Sequence, residues 1–323
     1  MNKRVFSLFI ATALAATANI STAQEWPKGP VHLIVPFNAG STPDYIARLV
    51  SEKLVARLGQ PMVVDNKAGA GGNIGTDAVA KAAPDGQIIG VSIAGPLAVN
   101  PLLYKKMPYD PATDLEPITV AVSQASVLVV SSKHAATNAK EFAHALKGGR
   151  AKMSYASIGA GSISHLAMQT VAAQTGNDFV HAPYRGSGVA VTALLSGEVD
   201  MALLPAAAVM PHIKAGKIRA LAVASGKRSP SLPDLPTFAE SGLPDIQADA
   251  WIGFIAPAKT PAAIVDKLRG HILQILAEPG VREMLRGQYM DPVGNSPAEF
   301  KALLAADAAR WKPIIQANRI TLD

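Results

Sequence analysis

The sequence predicts an α/β protein of two units, each a mainly parallel sheet with helices on its faces. Three observations carry this expectation. Short apolar, β-branched runs alternate with amphipathic helical patterns, which is the βαβ rhythm. That rhythm pauses near residues 118–126 and then resumes. The 323 residues are enough for two domains of ordinary size.

Taken in order, residues 31–36 form the first strand. A helix follows, with Ile46, Val50, Leu54 and Leu58 at i, i+4 spacing and Leu49 beside them. Thr42 is its expected N-cap, Pro43 its first helical residue and Gly59 its stop. Residues 62–64 form a strand, and a glycine-rich loop leads to a helix over 74–83. Pro84-Asp85-Gly86 turns the chain into a strand over 88–93. In the second unit, strands are expected at 127–130, 152–156, 179–182, 199–204 and 218–224. Helices are expected at 139–146, 163–173, 189–195 and 206–215. The proline-rich stretch 229–244 reads as loop, and 251–255 as a strand. Pro261 opens a helix with Ile264, Leu268, Ile272 and Ile275 inward. The last helix covers 297–317, and Pro313 is expected to kink or break it.

The first residues are set apart from the fold. Lys3 and Arg4 precede a mostly apolar run over 5–16, and Ser21-Thr22-Ala23 supplies small residues for cleavage. This predicts a secretory signal peptide over 1–23, cut after Ala23. The run is shorter than the ~20 residues that span a bilayer. The chain has no cysteine, hence no disulfide and no lipid-anchoring thiol. A soluble periplasmic protein is the simplest expectation. Lys3 and Arg4 supply two of the six net positive charges. The mild excess that remains steers small anions, while no basic run suggests nucleic acid.

Catalytic and cofactor chemistry finds little support. Gly69-Ala70-Gly71-Gly72-Asn73-Ile74-Gly75 and Gly159-Ala160-Gly161 both start like a dinucleotide fingerprint, but their sixth positions are Ile74 and Ser164. Neither is followed by the lysine and hydroxyl of a phosphate loop. The seven histidines are scattered without ligand spacing. His165, beside a glycine-rich turn, reads first as a structural histidine. No G-x-S-x-G elbow occurs. The expectation is no cofactor, no metal and no catalytic residue.

The stretch "IVPFNAGSTPDYIARLV", from Ile34 to Val50, is more informative. Asp44 suits the first turn of a helix and can pair with Arg48 four residues on. What capping leaves unexplained is recurrence: several strand-to-helix turns carry small residues that leave backbone N–H groups approachable. Helix N-termini bind carboxylates and phosphates. In α/β sheets these turns lie at the ligand-binding edge. A cleft between two such edges would hold a small carboxylate without an arginine.

These segments resemble the extracytoplasmic solute receptors of tripartite tricarboxylate transporters, the Bug family. The markers are "LIVPFNAG" with Asp44 and Arg48, "NKAGAGGNIGTDAVAKAAPDG", "NPLLYKKMPYDPATDLEPI", "SYASIGAGSISHLA", "VHAPYRGSG", "LLSGEVD", "PHIKAGKIRALAV", "LPDLPTFAESGLP" and "APAKTPAAIV". The resemblance implies a periplasmic-binding-protein fold, two α/β domains joined by two crossover strands and closing on ligand like a hinged trap. Domain 1 would comprise residues 24–122 and 250–323, and domain 2 residues 123–249. The implied crossings lie near 119–124 and 247–253. The protein would be a monomer without enzymatic activity, passing an organic acid to membrane permease subunits.

The resemblance also implies the binding residues. The ligand carboxylate would sit at Phe37, Asn38, Ala39, Gly40, Ser41 and Thr42, often with bridging water. Gly72 and Asn73, then Ser92, Ala94 and Gly95, would add to the pocket. Ser157, Gly159, Ala160, Gly161 and Ser162 would face them, with Tyr184 and Pro205 close by. This chain departs from the family at Ser41, where a second glycine is usual. It departs again at Leu204, Pro205 and Ala208, where polar residues are common. If that segment lines the cleft, its wall is apolar, which favours an acid with an apolar body, aromatic acids included. The alternative is that the run packs in the core of the second unit. Two other functions compete: a binding protein that signals to a membrane sensor, and an exported enzyme acting on a carboxylic acid.

Overall fold

The computed structural model describes residues 26–148 and 152–322. The signal peptide expected over 1–23 lies outside the described residues. The first unit begins with β1 (Val31–Val35), α1 (Thr42–Leu58), β2 (Met62–Asn66), α2 (Asn73–Ala80) and β3 (Ile88–Ser92). A π-helical turn over Gly95–Val99, the short α3 (Asn100–Leu103) and a long β4 (Leu115–Gln124) follow. The second unit runs β5 (Ser126–Ser131), α4 (Ala139–Ala145), β6 (Ser154–Ser157), α5 (Ile163–Thr175) and β7 (Val180–Pro183). It continues through α6 (Ser187–Ser196), β8 (Met201–Pro205), α7 (Ala206–Lys214) and β9 (Ile218–Val223). The chain returns through β10 (Ala250–Pro257), α8 (Ala262–Ala277), α9 (Pro279–Gly287), β11 (Met290–Pro292) and α10 (Pro297–Ala317).

Two sheets result, ordered β11-β4-β10-β3-β1-β2 and β7-β6-β8-β5-β9. They are mixed, which corrects the expectation of mainly parallel sheets. The βαβ units do pair in parallel, β1 with β2 and β3, and β6 with β7 and β8. The strands that carry the chain between units, and β11 beside them, pair antiparallel. These are β4, β10 and β11 in one sheet and β5 beside β8 and β9 in the other. Only Ala125 separates β4 from β5. The second crossing enters β10, and there the Ser126 hydroxyl donates to the Ala248 carbonyl at 2.6 Å. Beside the crossings, Asp291 on β11 accepts from Ser229 at 2.7 Å and Ser231 at 2.6 Å.

Both faces of both sheets are covered, so the central strands read as continuous apolar runs. Val31, Leu33 and Val35 of β1 join Ile46, Leu54, Leu268 and Ile272 on one face. Ile34 points to the other face, with Val79, Trp251 and Phe300. In β5, Leu128 and Val130 meet Phe142 and Leu166, while Val127 and Val129 meet Val191, Leu194 and Val209. The helix α10 touches both units. Phe300, near its start, sits in the first core, and Trp311 and Ile315, near its end, in the second.

Two local expectations are corrected. The N-cap of α1 is Ser41, not Thr42: Ser41 has extended backbone angles (φ −71, ψ 162) and Thr42 is already helical. Pro43 is therefore the second helical residue, where its missing N–H still costs no intrahelical bond. And α10 runs through Pro313 without a break. Pro313 and Ala309, whose carbonyl loses its partner, both lie on the exposed side, where water can satisfy that oxygen.

Candidate functional site

The β1–α1 turn is held from inside by one carboxylate. Asp44 is buried, 3% exposed, and accepts from the Gly40 N–H at 2.9 Å, from Asn66 Nδ2 at 2.9 Å and from Arg48 Nε at 3.0 Å. Asn66 Nδ2 also donates to the Phe37 carbonyl at 2.9 Å, and Arg48 donates to Asn66 Oδ1 at 3.0 Å. The Ser41 N–H closes the turn on the Asn38 carbonyl at 3.1 Å. Burial pushes the Asp44 carboxyl up. The hydrogen bonds from Arg48, Gly40 and Asn66 outweigh it and hold the group below its ordinary range. The Ser41 hydroxyl accepts from the Asp44 N–H at 3.4 Å as the helix cap.

The two neighbouring turns close on this one. Residues 69–72 have positive φ in succession, at 134, 46, 62 and 94°. Gly72 needs to be glycine for a second reason: a Cβ there would lie 2.9 Å from the Phe37 ring and 2.7 Å from Pro96. Phe37, Gly72 and Pro96 thus bring three strand-end turns to one place. Behind them, Asn100 Nδ2 donates to Asn73 Oδ1 at 2.7 Å and to the Gly71 carbonyl at 3.2 Å. The Tyr109 hydroxyl donates to the Pro96 carbonyl at 2.9 Å.

In the second unit the β6–α5 turn is built from serines and histidines. Ser157 Oγ lies 2.7 Å from His181 Nε2 and 3.1 Å from the Gly159 carbonyl. Ser162 caps α5 by accepting the His165 N–H at 3.4 Å, and its hydroxyl donates to the Gly159 carbonyl at 2.6 Å. The Ile158 N–H donates to Ser164 Oγ at 3.1 Å. The Gly161 N–H donates to His165 Nδ1 at 3.0 Å. The His165 and His181 rings stack with centroids 3.9 Å apart and planes 6° apart, and Tyr155 stacks on His181 at 4.9 Å. Burial first, and His181 second, hold His165 down to about 4, and burial lowers His181 as well.

The structure sorts the expected residues into groups. Phe37 to Thr42, Gly72, Ala94 and Gly95 belong to the first set of turns. Ser157, Gly159, Ala160, Gly161 and Ser162 form the second, with Tyr184 tied to it by its N–H to the Ser157 carbonyl at 3.0 Å. The sets meet on one side. A Cβ on Gly161 would lie 2.5 Å from Leu103, and Ile163 packs on the cluster of Ala94 and Leu97. Pro205 ends β8 opposite Ser126, beside the crossing. The structure turns two expected side chains inward: Asn73 is engaged by Asn100, and Ser92, fully buried, lies 3.2 Å from Thr76. The Tyr184 hydroxyl donates to Glu198 at 2.8 Å. Leu203 and Leu204 lie in the core of the second unit, so only Pro205, Ala207 and Ala208 of that run keep some exposure.

Sequence reasoning did not place Asn66 or His181 in the site, and it read Asp44 as a helix-start residue able to pair with Arg48, which it does. The signal for His181 was its position in the strand beside Ser157; nothing local marked Asn66. A cavity of about 70 Å³ lies at the crossings, lined in part by Asp249, Trp251, Asp307 and Arg310. It has room for a few water molecules at most, not an organic acid. Among the described residues, no group of three or more His, Asp or Glu side chains is placed to hold a metal. No described helix is long and apolar enough to cross a membrane.

Known proteins share this architecture. A family model described as "Tripartite tricarboxylate transporter family receptor" matches residues 46–320. Protein BugT of Bordetella pertussis is 36% identical, over 97% of this chain and 95% of its own. An R. palustris protein solved with adipate is 34% identical with a TM-score of 0.80, over 92% of this chain and 99% of its own. MatC from Rhodopseudomonas palustris with bound malate is 30% identical with a TM-score of 0.74, over 90% and 100%.

Proposed function

Because the chain belongs to the tripartite tricarboxylate transporter receptor family, whose members are periplasmic solute-binding receptors, we propose that it captures a small organic acid between its two domains and delivers it to the membrane subunits of such a transporter. The observation that carries this reading is the meeting of the Phe37, Gly72 and Pro96 turns at strand ends, with Gly161 of the second turn against Leu103 and Ile163 against the cluster of Ala94 and Leu97. Each set contains helix N-termini, where backbone N–H groups and the dipole favour an anion. Ser41 uses its oxygen as a cap acceptor, which leaves its hydroxyl proton to donate to a ligand carboxylate. The contacting residues in this reading are Phe37 to Thr42, Gly72, Ala94, Gly95, Ser157, Gly159 to Ser162, Tyr184 and Pro205. We divide the chain into domain 1, residues 24–122 and 250–323, and domain 2, residues 123–249, acting as a periplasmic monomer.

The body of the acid should be apolar. Phe37, Ile158, Pro205 and Ala208 are only partly buried and offer apolar surface. Burying such surface contributes about 25 cal/mol per Å². The relative solved with adipate, an acid with a methylene body, fits this better than the one solved with malate. Titration calorimetry and thermal shift with adipate, benzoate, phthalate, malate, citrate and glutamate decide the matter. Adipate or the aromatic acids should bind one to one and rank first. Malate, citrate or glutamate ranking first would end the apolar-body reading. Failure of every carboxylate would count against the function itself.

A further inference from the structure

We propose that His165 and His181 are positioning residues for the acid-binding turn, a stacked pair of neutral rings that fixes its two ends. This rests on the reading of Ser157–Ser162 as part of the cleft. One end is Ser157, whose hydroxyl meets His181 Nε2 at 2.7 Å. The other is Gly161, whose N–H donates to His165 Nδ1 at 3.0 Å. The rings lie parallel at 3.9 Å, so the two anchors move together.

The protonation state of His165 follows from the bond it makes. A nitrogen that accepts a backbone N–H carries no proton, so the neutral ring holds its proton on Nε2. Protonating Nδ1 would set two N–H donors against each other in a buried place, which is costly. The surroundings give an imidazolium no help. His181 faces His165 from β7, and Tyr155 on β6 faces His181 from its far side. Leu103 on α3 and Leu322 crowd Gly161, and Tyr155 is itself part of the apolar core of the second unit. Among the described residues no carboxylate pairs with either ring. The histidines therefore act through the turn, not as cations for the ligand.

Two substitutions separate positioning from bulk packing. Asn Oδ1 can take the place of His Nδ1 as an acceptor and does not titrate, whereas Leu fills space without accepting. In nuclear magnetic resonance spectra of the ligand-free chain, the Gly161 amide signal of the unaltered protein should shift with a midpoint near pH 4. It should stay flat in His165→Asn. At pH 7.5, calorimetry with adipate should find His165→Asn within about twofold of the unaltered protein and His165→Leu about tenfold weaker. His181→Gln against His181→Leu should repeat the pattern for Ser157. A flat Gly161 signal in the unaltered protein, or equal affinities for the Asn and Leu variants, would overturn the proposal while leaving acid binding intact. If His165→Leu does not fold, the Gly161 titration decides alone, and it needs no ligand. Absence of any carboxylate binding would instead remove the cleft reading on which the proposal stands.

Discussion

Asp44 shows how a single residue can be half legible. Its spacing to Arg48 and its place in a helix first turn are visible in the sequence, and both relations exist. Its bonds to Gly40 and Asn66 are not visible, because one partner is a backbone group and the other lies on the next strand. Those two bonds matter most for the site, since they fix the turn that Ser41 belongs to. Ser41 allows a clean test. Glycine is nearly as good an N-cap as serine, so Ser41→Gly should change stability by only a few tenths of a kcal/mol. If the hydroxyl donates to a carboxylate, affinity should nevertheless fall about tenfold. Calorimetry and thermal unfolding on the same sample check both halves, and unchanged affinity would remove Ser41 from the contacts. The inward turn of Asn73 and Ser92 was equally hidden, because their partners Asn100 and Thr76 sit on other elements.

At the scale of elements, the central strands β1, β3, β5, β8 and β10 were legible because both faces are buried and the apolar runs are unbroken, whereas β4 and α9 were not read as elements. Strand direction was not legible. Whether β4 and β10 run with or against their neighbours depends on where the chain comes from, which no local pattern records. The short elements at 95–103 and 290–292 have too few residues to show a period. Pro313 illustrates how surroundings override a local rule. Its ring and missing N–H weaken α10, but the loss falls on the solvent side. Pro313→Ala should therefore stabilise the protein, by about 1 kcal/mol or more given the ~3 kcal/mol that proline costs in a helix interior. A rise in the denaturation midpoint checks this. No rise would mean that the fixed φ of Pro313 stabilises the helix by as much as its missing N–H weakens it.

For the whole molecule, the division into two units was readable from the pause in the βαβ rhythm. The path of the last helix was not. It is set by Phe300 meeting Trp251 edge to face at 5.3 Å, and by Trp311 and Ile315 joining the core of the second unit, between segments far apart in the chain. The helix therefore runs alongside both crossings, and this gives the protein a built-in reporter. The chain has three tryptophans. Two of them, Trp251 and Trp311, border the small cavity at the junction, while Trp26 lies away in the first core. The Trp251 indole donates to Asp307 at 2.9 Å, whereas the buried Trp311 indole N–H has no protein partner. Any rotation of one domain against the other changes what these rings touch. Acid binding should therefore alter native emission along the same saturation curve that calorimetry traces. Trp311→Phe, which sacrifices no hydrogen bond, should remove part of that signal. Unchanged emission during measured binding would mean that the junction stays rigid. With it, the unlabelled receptor can be read optically as it fills.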